Sequence, residues 1–391
     1  MSDHPMRGRT AISGLGETKY YKRAAAPDGE FKMCLEAILL ACEDAGVDPR
    51  DIDGFASYSN ERSSPDRLAA ALGIKEMRLS NMFWGGGGGG GSGALANAVS
   101  AIISGQCEVV VVYRSLAQGQ FGRFGQGAVV NEINNDGKWT APFGLMSPAQ
   151  SFAMRVRRFM HENGVQQEAL RAISMASYFH AQQNPRAVMH GRELTEEIYD
   201  QSRWIVEPFH LFDCCMENDG AAAMIVTSVE RARDLKPEPA VVLAAAQGST
   251  PRNQAAAHNA DLYATSNFQH VAKRLYEIAG VGPEDVDVAQ VYENFTGGVM
   301  MSIVEHGLCA PDEVNEFFTL ENFKAPDGKM PINTSGGNLA ECYMHGLELI
   351  IEAARQLRGQ SPNQLENPEV ALVASGPMVT PVSSCILGVD R

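Results

Sequence analysis

Two segments late in the chain gather side chains that can move protons or hold an anion. The first, Val291-Tyr292-Glu293-Asn294-Phe295-Thr296-Gly297-Gly298, directly follows a buried-strand pattern. The C-terminal ends of strands are where α/β folds favour ligand sites. A tyrosine that only caps a core gives the same pattern. The second, Asn333-Thr-Ser-Gly-Gly337-Asn-Leu-Ala-Glu-Cys342-Tyr343-Met-His345-Gly346, is a glycine-rich loop ahead of a helix. Single residues of these types are usually structural, but here Asn, Cys, Tyr and His cluster at a turn leading to a helix N-terminus. A third segment is the glycine run Gly85 to Gly91, followed by Ser92 and Gly93 and opening a helix. Polyglycine satisfies every glycine-spaced nucleotide motif, and no Lys-Ser/Thr follows it, so a Walker-type phosphate loop is disfavoured. Two readings stay open for the run. The helix N-terminus could hold an anion or a carbonyl oxygen, or the turn could pack closely against a neighbouring backbone. Arg155, Arg157 and Arg158 on a later helix are read either as contacts for phosphates or as a solvated helix face.

The elements that must position these residues form an internal repeat. Gly46-Val-Asp-Pro-Arg-Asp-Ile-Asp-Gly-Phe-Ala-Ser57 matches Gly280-Val-Gly-Pro-Glu-Asp-Val-Asp-Val-Ala-Gln-Val291. Each phrase follows an amphipathic helix, over 31–45 and 268–279, ends that helix at a glycine, and enters a short apolar strand through a proline turn. A second pair follows in the same order: apolar helices predicted over 93–104 and 346–358, each leading into a β-branched strand, at 109–113 and 370–374. Helices apolar on nearly all sides are sandwiched, and strands without alternation are buried on both faces. The pattern predicts two similar α/β halves with helices packed between two mixed sheets. Between them, over about 114–218, the periodicity weakens. A Gly/Gln/Asn-rich loop from Gln118 to Gly137 and helical patterns over 148–163 and 166–182 suit an insertion over the strand ends.

Composition bounds the function. Of 391 residues, 45% are hydrophobic and 20% charged, which suits a large core and excludes general disorder. The net charge of −15 argues against a nucleic-acid binder. The eight cysteines include no C-x-x-C pair, there is no apolar leader pattern, and no stretch is long enough to span a membrane. A cytoplasmic protein with reduced thiols is expected.

On these residues the sequence resembles the thiolase superfamily, in particular the sterol-carrier-protein-type thiolases and their thiolase-like relatives, over nearly the whole chain. Ile12-Ser-Gly-Leu-Gly-Glu-Thr-Lys19 is similar to the family's first strand and turn. Asn218-Asp-Gly-Ala-Ala-Ala223 is similar to the stretch closing its first half, and Asn333 to Gly346 to the loop N-x-x-G-G-x-x-A-x-G-H-P-x-G. The resemblance implies an α/β protein with the duplicated five-layer α-β-α-β-α thiolase fold and an insertion domain. Residues 1–113 with 214–235 would form the N-terminal half, 114–213 the insertion, and 236–391 the C-terminal half.

Departures from the family pattern carry the functional expectation. The nucleophilic Cys position falls on Gly90, the second Cys position on about Ala374, the His of G-H-P on Tyr343, and the Asn of N-E-A-F on Tyr292. Thiolysis needs a thiolate to carry the acyl group and a base to activate the incoming one. Neither cysteine is present, and Cys342 aligns with a glycine. Two tyrosines stand instead where polar catalytic groups stood, and tyrosine can act as acid or base when perturbed. This is similar to the thiolase-like aldolases that shorten steroid side chains carried as CoA thioesters. The resemblance implies retro-aldol cleavage of a β-hydroxyacyl-CoA, with Tyr292 and Tyr343 catalytic. Asn294, His345, Gly90 and Gly376 would be supporting or oxyanion groups. It further implies a CoA thioester as substrate, no cofactor or metal bound by this chain, a homodimer, and a small zinc-ribbon/OB-fold partner. Proximity to a helix N-terminus favours Tyr343 as the base, with the assignment of base and acid left open. The alternatives are a non-catalytic acyl-CoA or lipid binder with this fold, which gives no reason for paired tyrosines, and a degenerate acetyl-CoA acyltransferase using Cys342 or another cysteine.

Overall fold

The computed structural model describes residues 4–84, 87–121, 138–236, 238–252 and 261–390. Its principal strands are β1 (Thr10–Glu17), β2 (Gly54–Tyr58), β3 (Leu79–Phe83), β4 (Val110–Ala117), β5 (Asn218–Ser228), β6 (Ala240–Gly248), β7 (Val288–Val291), β8 (Val370–Ser375) and β9 (Val382–Gly388). Its principal helices are α1 (Glu30–Ala45), α2 (Gly91–Ile103), α3 (Pro148–Asn163), α4 (Gln167–Gln183), α5 (Gln269–Ala279), α6 (Thr296–Glu305) and α7 (Leu347–Leu357).

The two repeated phrases fold alike. Helices α1 and α5 end at Gly46 (φ 75°) and Gly280 (φ 68°), a left-handed conformation that glycine adopts without steric cost. Short 3-10 turns, Pro49–Asp51 and Pro283–Asp285, then lead into β2 and β7. The equivalence reaches individual side chains. Asp53 accepts hydrogen bonds from the backbone N–H groups of Glu108 and Val109, both at 3.0 Å. Asp287 accepts from those of Glu369 (2.8 Å) and Val370 (2.9 Å). Each aspartate thus ties its turn to the strand that follows the next helix.

The strands run in the order β7-β8-β9-β6-β1-β5-β4-β2-β3. Pairing is parallel within β3–β2–β4 and β7–β8, and antiparallel elsewhere. The expectation of two sheets needs one refinement. The two runs are hydrogen-bonded into a single path by a short pairing of β1 with β6, Thr10↔Val242 to Ile12↔Ala240.

Helices α2 and α7 pack against each other and against strands of both runs. Leu95 and Val99 of α2 and Leu349, Ile350 and Ile351 of α7 are fully buried, each side chain contributing about 1.5–3 kcal/mol. Outside this central layer, α1 covers one run and α5 the other, which completes the five layers.

The insertion helices start and stop where their sequences specify. Ser147 and Gln150 form a capping box at the start of α3, and Gly164 (φ 66°) ends it. Both α3 and α4 pack on α6. Phe152 meets Phe295 at 5.1 Å between ring centroids, and Phe209 stacks on Phe295 at 5.0 Å. The insertion therefore presses on the segment that begins at Tyr292. Residues 122–137 of the predicted loop lie outside the described residues. Among the described residues, no helix is long and apolar enough to cross a membrane.

Candidate active site

Tyr292 leaves the end of β7, and Tyr343 lies in the loop before α7. Their hydroxyls meet at 2.6 Å, with ring centroids 5.9 Å apart and planes at 41°. Both residues are buried, Tyr292 at 1% exposure and Tyr343 at 7%. Each ring is held from its backbone. The Tyr292 N–H donates to the Ala374 carbonyl (2.9 Å), and the Tyr343 N–H donates to Asn218 Oδ1 (2.7 Å).

The glycine run is the wall against which Tyr292 rests. A Cβ at Gly88 would fall inside the Tyr292 ring, and one at Gly376 (φ 65°) would fall on the Gly89 backbone. Close approach of backbone to ring and backbone to backbone therefore explains why glycine is needed here. Gly90 packs against Tyr58 rather than against the tyrosine pair. Asn294 turns its Oδ1 to the N–H of Phe295 (2.9 Å), and its carbonyl accepts from Cys215 N–H (3.0 Å). His345 sits edge-on to the Tyr343 ring, centroids 4.9 Å apart at 88°.

Burial dominates the electrostatics. It raises both tyrosines well above their ordinary range, because a phenolate out of water is unfavourable. The hydroxyl contact lowers Tyr292 and raises Tyr343, and Cys215 raises both. Beyond burial, the groups that act on Tyr343, Cys215 and Tyr292, raise it further. At neutral pH the pair is two protonated hydroxyls, one donating to the other. Cys342 is fully buried and its thiol is pushed up by burial and then by Glu348 and Glu341, so it is not a ready thiolate.

The loop that carries Tyr343 is held by buried carboxyls. Glu348 accepts from the Met344 N–H (3.2 Å) and from the Asn338 side-chain amide. Glu293 accepts from the Asn338 N–H (2.7 Å) and from the Ser177 hydroxyl, and burial raises it to about 7.

Four residues of this neighbourhood were not singled out from the sequence: Tyr58, Glu61, Arg114 and Cys215. Tyr58 is the repeat counterpart of Tyr292, and Arg114 is a charge inside the apolar run of β4, so both left a readable signal. Glu61 and the Cys215–Tyr343 contact left none. Of the three arginines considered for phosphates, Arg155 is buried, so a solvated face does not describe it, whereas the exposed Arg158 pairs with Glu162 at 2.5 Å.

Comparison with known proteins agrees with this architecture. Residues 248–389 match the family model "Thiolase C-terminal domain-like". The chain is 38% identical to the "Steroid side-chain-cleaving aldolase" of Thermomonospora curvata, over 98% of this chain and 99% of that one. It is 36% identical to the "17-hydroxy-3-oxo-4-pregnene-20-carboxyl-CoA lyase" of Mycobacterium tuberculosis, over 98% of this chain and all (100%) of that one. Among solved structures, the "Ltp2-ChsH2(DUF35) aldolase" superposes with a TM-score of 0.91 at 38% identity, over 99% of both chains. A chain this similar along its full length, with the thiolase layering, belongs to the thiolase-like aldolases, carbon–carbon lyases built on the thiolase fold.

Proposed function

We propose that this chain performs the retro-aldol cleavage of a steroid side chain carried as a β-hydroxyacyl-CoA, releasing a ketone or aldehyde and a shorter acyl-CoA, with Tyr292 and Tyr343 as its acid–base pair. The observation that carries the tyrosine reading is the 2.6 Å contact between hydroxyls contributed by two separate loops. Since both phenols rest protonated, the pair works as a relay. The substrate β-hydroxyl gives its proton to one phenol oxygen, and that phenol passes its own proton to the other. The Cα–Cβ bond breaks, its electrons forming the thioester enolate while the β-carbon becomes the carbonyl. Within the same concerted shift the second phenol gives up its own proton to the carbon that carries the enolate charge, so that neither oxygen holds two protons and both phenols end as they began. Charge on the enolate oxygen needs donors near the site, and His345, Asn294 and the glycine backbones at 90 and 376 are the candidates.

The chain acts in the cytoplasm, as a homodimer with a small zinc-ribbon/OB-fold partner. The DUF35 protein paired with the similar aldolase supports the partner. Exposed Trp139 (72%) and Phe143 (86%), which with Met154 line a hollow on the insertion, support an interface there.

The test is release of acyl-CoA and ketone from a panel of β-hydroxyacyl-CoA thioesters by the co-purified complex. Tyr292→Phe and Tyr343→Phe should each fold and lose about 10²–10⁴-fold in turnover. Wild-type rates in both variants would overturn the tyrosine mechanism and leave the cleavage itself to other groups.

A further inference from the structure

Arg114 lies within β4 and is fully buried. Its Nη1 donates to the Tyr58 carbonyl (3.4 Å) and to Glu61 (3.3 Å). Its Nη2 donates to Asn60 Oδ1 (2.7 Å) and lies 2.8 Å from His345 Nδ1. Glu61 is itself saturated, by the N–H groups of Arg62 (2.9 Å), Ser63 (2.7 Å) and Ser115 (2.7 Å) and by the Ser115 hydroxyl (2.8 Å). The guanidinium therefore has a fixed position and a carboxyl partner held in place. A guanidinium carries only N–H donors and stays protonated. The His345 nitrogen facing it has to accept, which leaves the ring proton on Nε2. A second proton on Nδ1 would set donor against donor beside a full positive charge.

We infer that Arg114 is a positioning residue: it locks His345 as a neutral imidazole protonated on Nε2, so that the ring offers the tyrosine site a hydrogen-bond donor and takes no part in proton transfer. The backbone supports the same geometry. His345 has φ 52°, and its carbonyl and that of Met344 both accept from the Tyr58 hydroxyl, at 3.0 and 3.1 Å. Among the described residues, the charged and titratable groups around the ring include Arg114 and Arg62, which are positive, the neutral phenols Tyr343 and Tyr58, and Glu61 beyond Arg114. Burial, Arg114 and Arg62 all push the imidazolium well below its ordinary range.

The first test is independent of the proposed reaction. With ¹⁵N-labelled histidine, the His345 ring is assigned by its loss in His345→Gln and followed from about pH 5 to pH 8, the range in which an ordinary histidine titrates. The expected result is a pyrrole-type Nε2, a pyridine-type Nδ1 and no titration. A proton on Nδ1, or a midpoint near the ordinary ~6.5, would overturn the lock. The second test rests on the tyrosine reading. Arg114→Met should move the His345 ionisation upward in the pH profile of kcat/KM from its wild-type position, short of the ordinary histidine range because the ring stays buried, and Arg114→Met with His345→Gln should remove it. A folded Arg114→Met with the wild-type profile, or a moved ionisation that survives in the double variant, would count against Arg114. If Arg114→Met does not fold, the spectroscopic test decides alone. If Tyr292→Phe and Tyr343→Phe keep full activity while the His345 tautomer is as expected, the reaction reading fails and the lock stands.

Discussion

Tyr58 and Tyr292 occupy the same step of the internal repeat, each at the end of the strand that follows a proline turn, and both are buried against the glycine run. What differs is where the hydroxyl points. Tyr58 donates to two backbone carbonyls, whereas Tyr292 meets the hydroxyl of Tyr343. A carbonyl oxygen can only accept, so Tyr58 has nowhere to pass a proton except back. A hydroxyl both gives and takes. Duplication supplied two equivalent positions, and the identity of the partner group made one a scaffold and the other a place where protons can move. The scaffold copy is not idle, because it holds the backbone of the residue next to the reacting loop.

The widest gap between the two copies should appear in turnover. Tyr292→Phe should lose about 10²–10⁴-fold, whereas Tyr58→Phe should lose under tenfold, measured on the same thioester. Equal losses would erase the distinction between them. Next in size is Gly88→Ala, whose added Cβ cannot coexist with the present position of the Tyr292 ring. Displacing the ring breaks the hydroxyl contact, so turnover should fall about 10²-fold alongside an overpacking cost of about 1–3 kcal/mol. A Gly88→Ala protein with unchanged kcat would show that the pair tolerates misplacement.

One residue further along the repeat, the contrast becomes electrostatic. Ser59 is half-buried and accepts from the Gly87 N–H (3.1 Å), while its counterpart Glu293 is fully buried and raised to about 7. A carboxyl raised on folding binds its proton more tightly in the native state. Its stabilising contribution is present below the ordinary carboxylate value and is lost as pH rises through about 7. Glu293→Gln imitates the protonated form and should flatten the decline in Tm across that interval, which a pH series of thermal melts would read. An unchanged slope would show that Glu293 titrates normally. Smaller still, Tyr58→Phe should lower stability by about 1 kcal/mol through its lost hydrogen bonds. Smallest is Cys342→Ala, which should cost at most about 1 kcal/mol of packing and leave turnover intact, whereas a trapped acyl-Cys342 would restore a thiolase-type step.

The sequence was most readable where a single local rule decides the outcome. Gly46 and Gly280 mark helix ends because a left-handed residue is required there. The apolar runs of β4 and β8 mark buried strands because no face of them meets water. Tyr292 and Tyr343 could be paired because the family resemblance placed both at catalytic positions. Long-range contacts were not readable. The ion pair of Glu61 with Arg114 crosses between a turn and a strand, and no spacing rule links them. Gly88 rather than Gly90 meets Tyr292, since seven consecutive glycines look the same until a neighbour is placed against one of them. Arg155 looked like one of three surface cations because helix periodicity does not report what packs over that face.

Strand β1 has a consequence for how the chain is made. It lies inside the sheet, with one edge on β5 and the other on β6, so both its hydrogen-bonding partners come from far downstream. At roughly 5–20 residues per second on the ribosome, β5 emerges some ten to forty seconds after β1. During that wait α1 is available to lie on one face of β1, as it does in the finished fold, while both edges of the strand stay open to any extended chain nearby. The nascent protein is therefore most exposed to mispairing before the strand that closes its first half exists, which is when a chaperone would matter most to its yield.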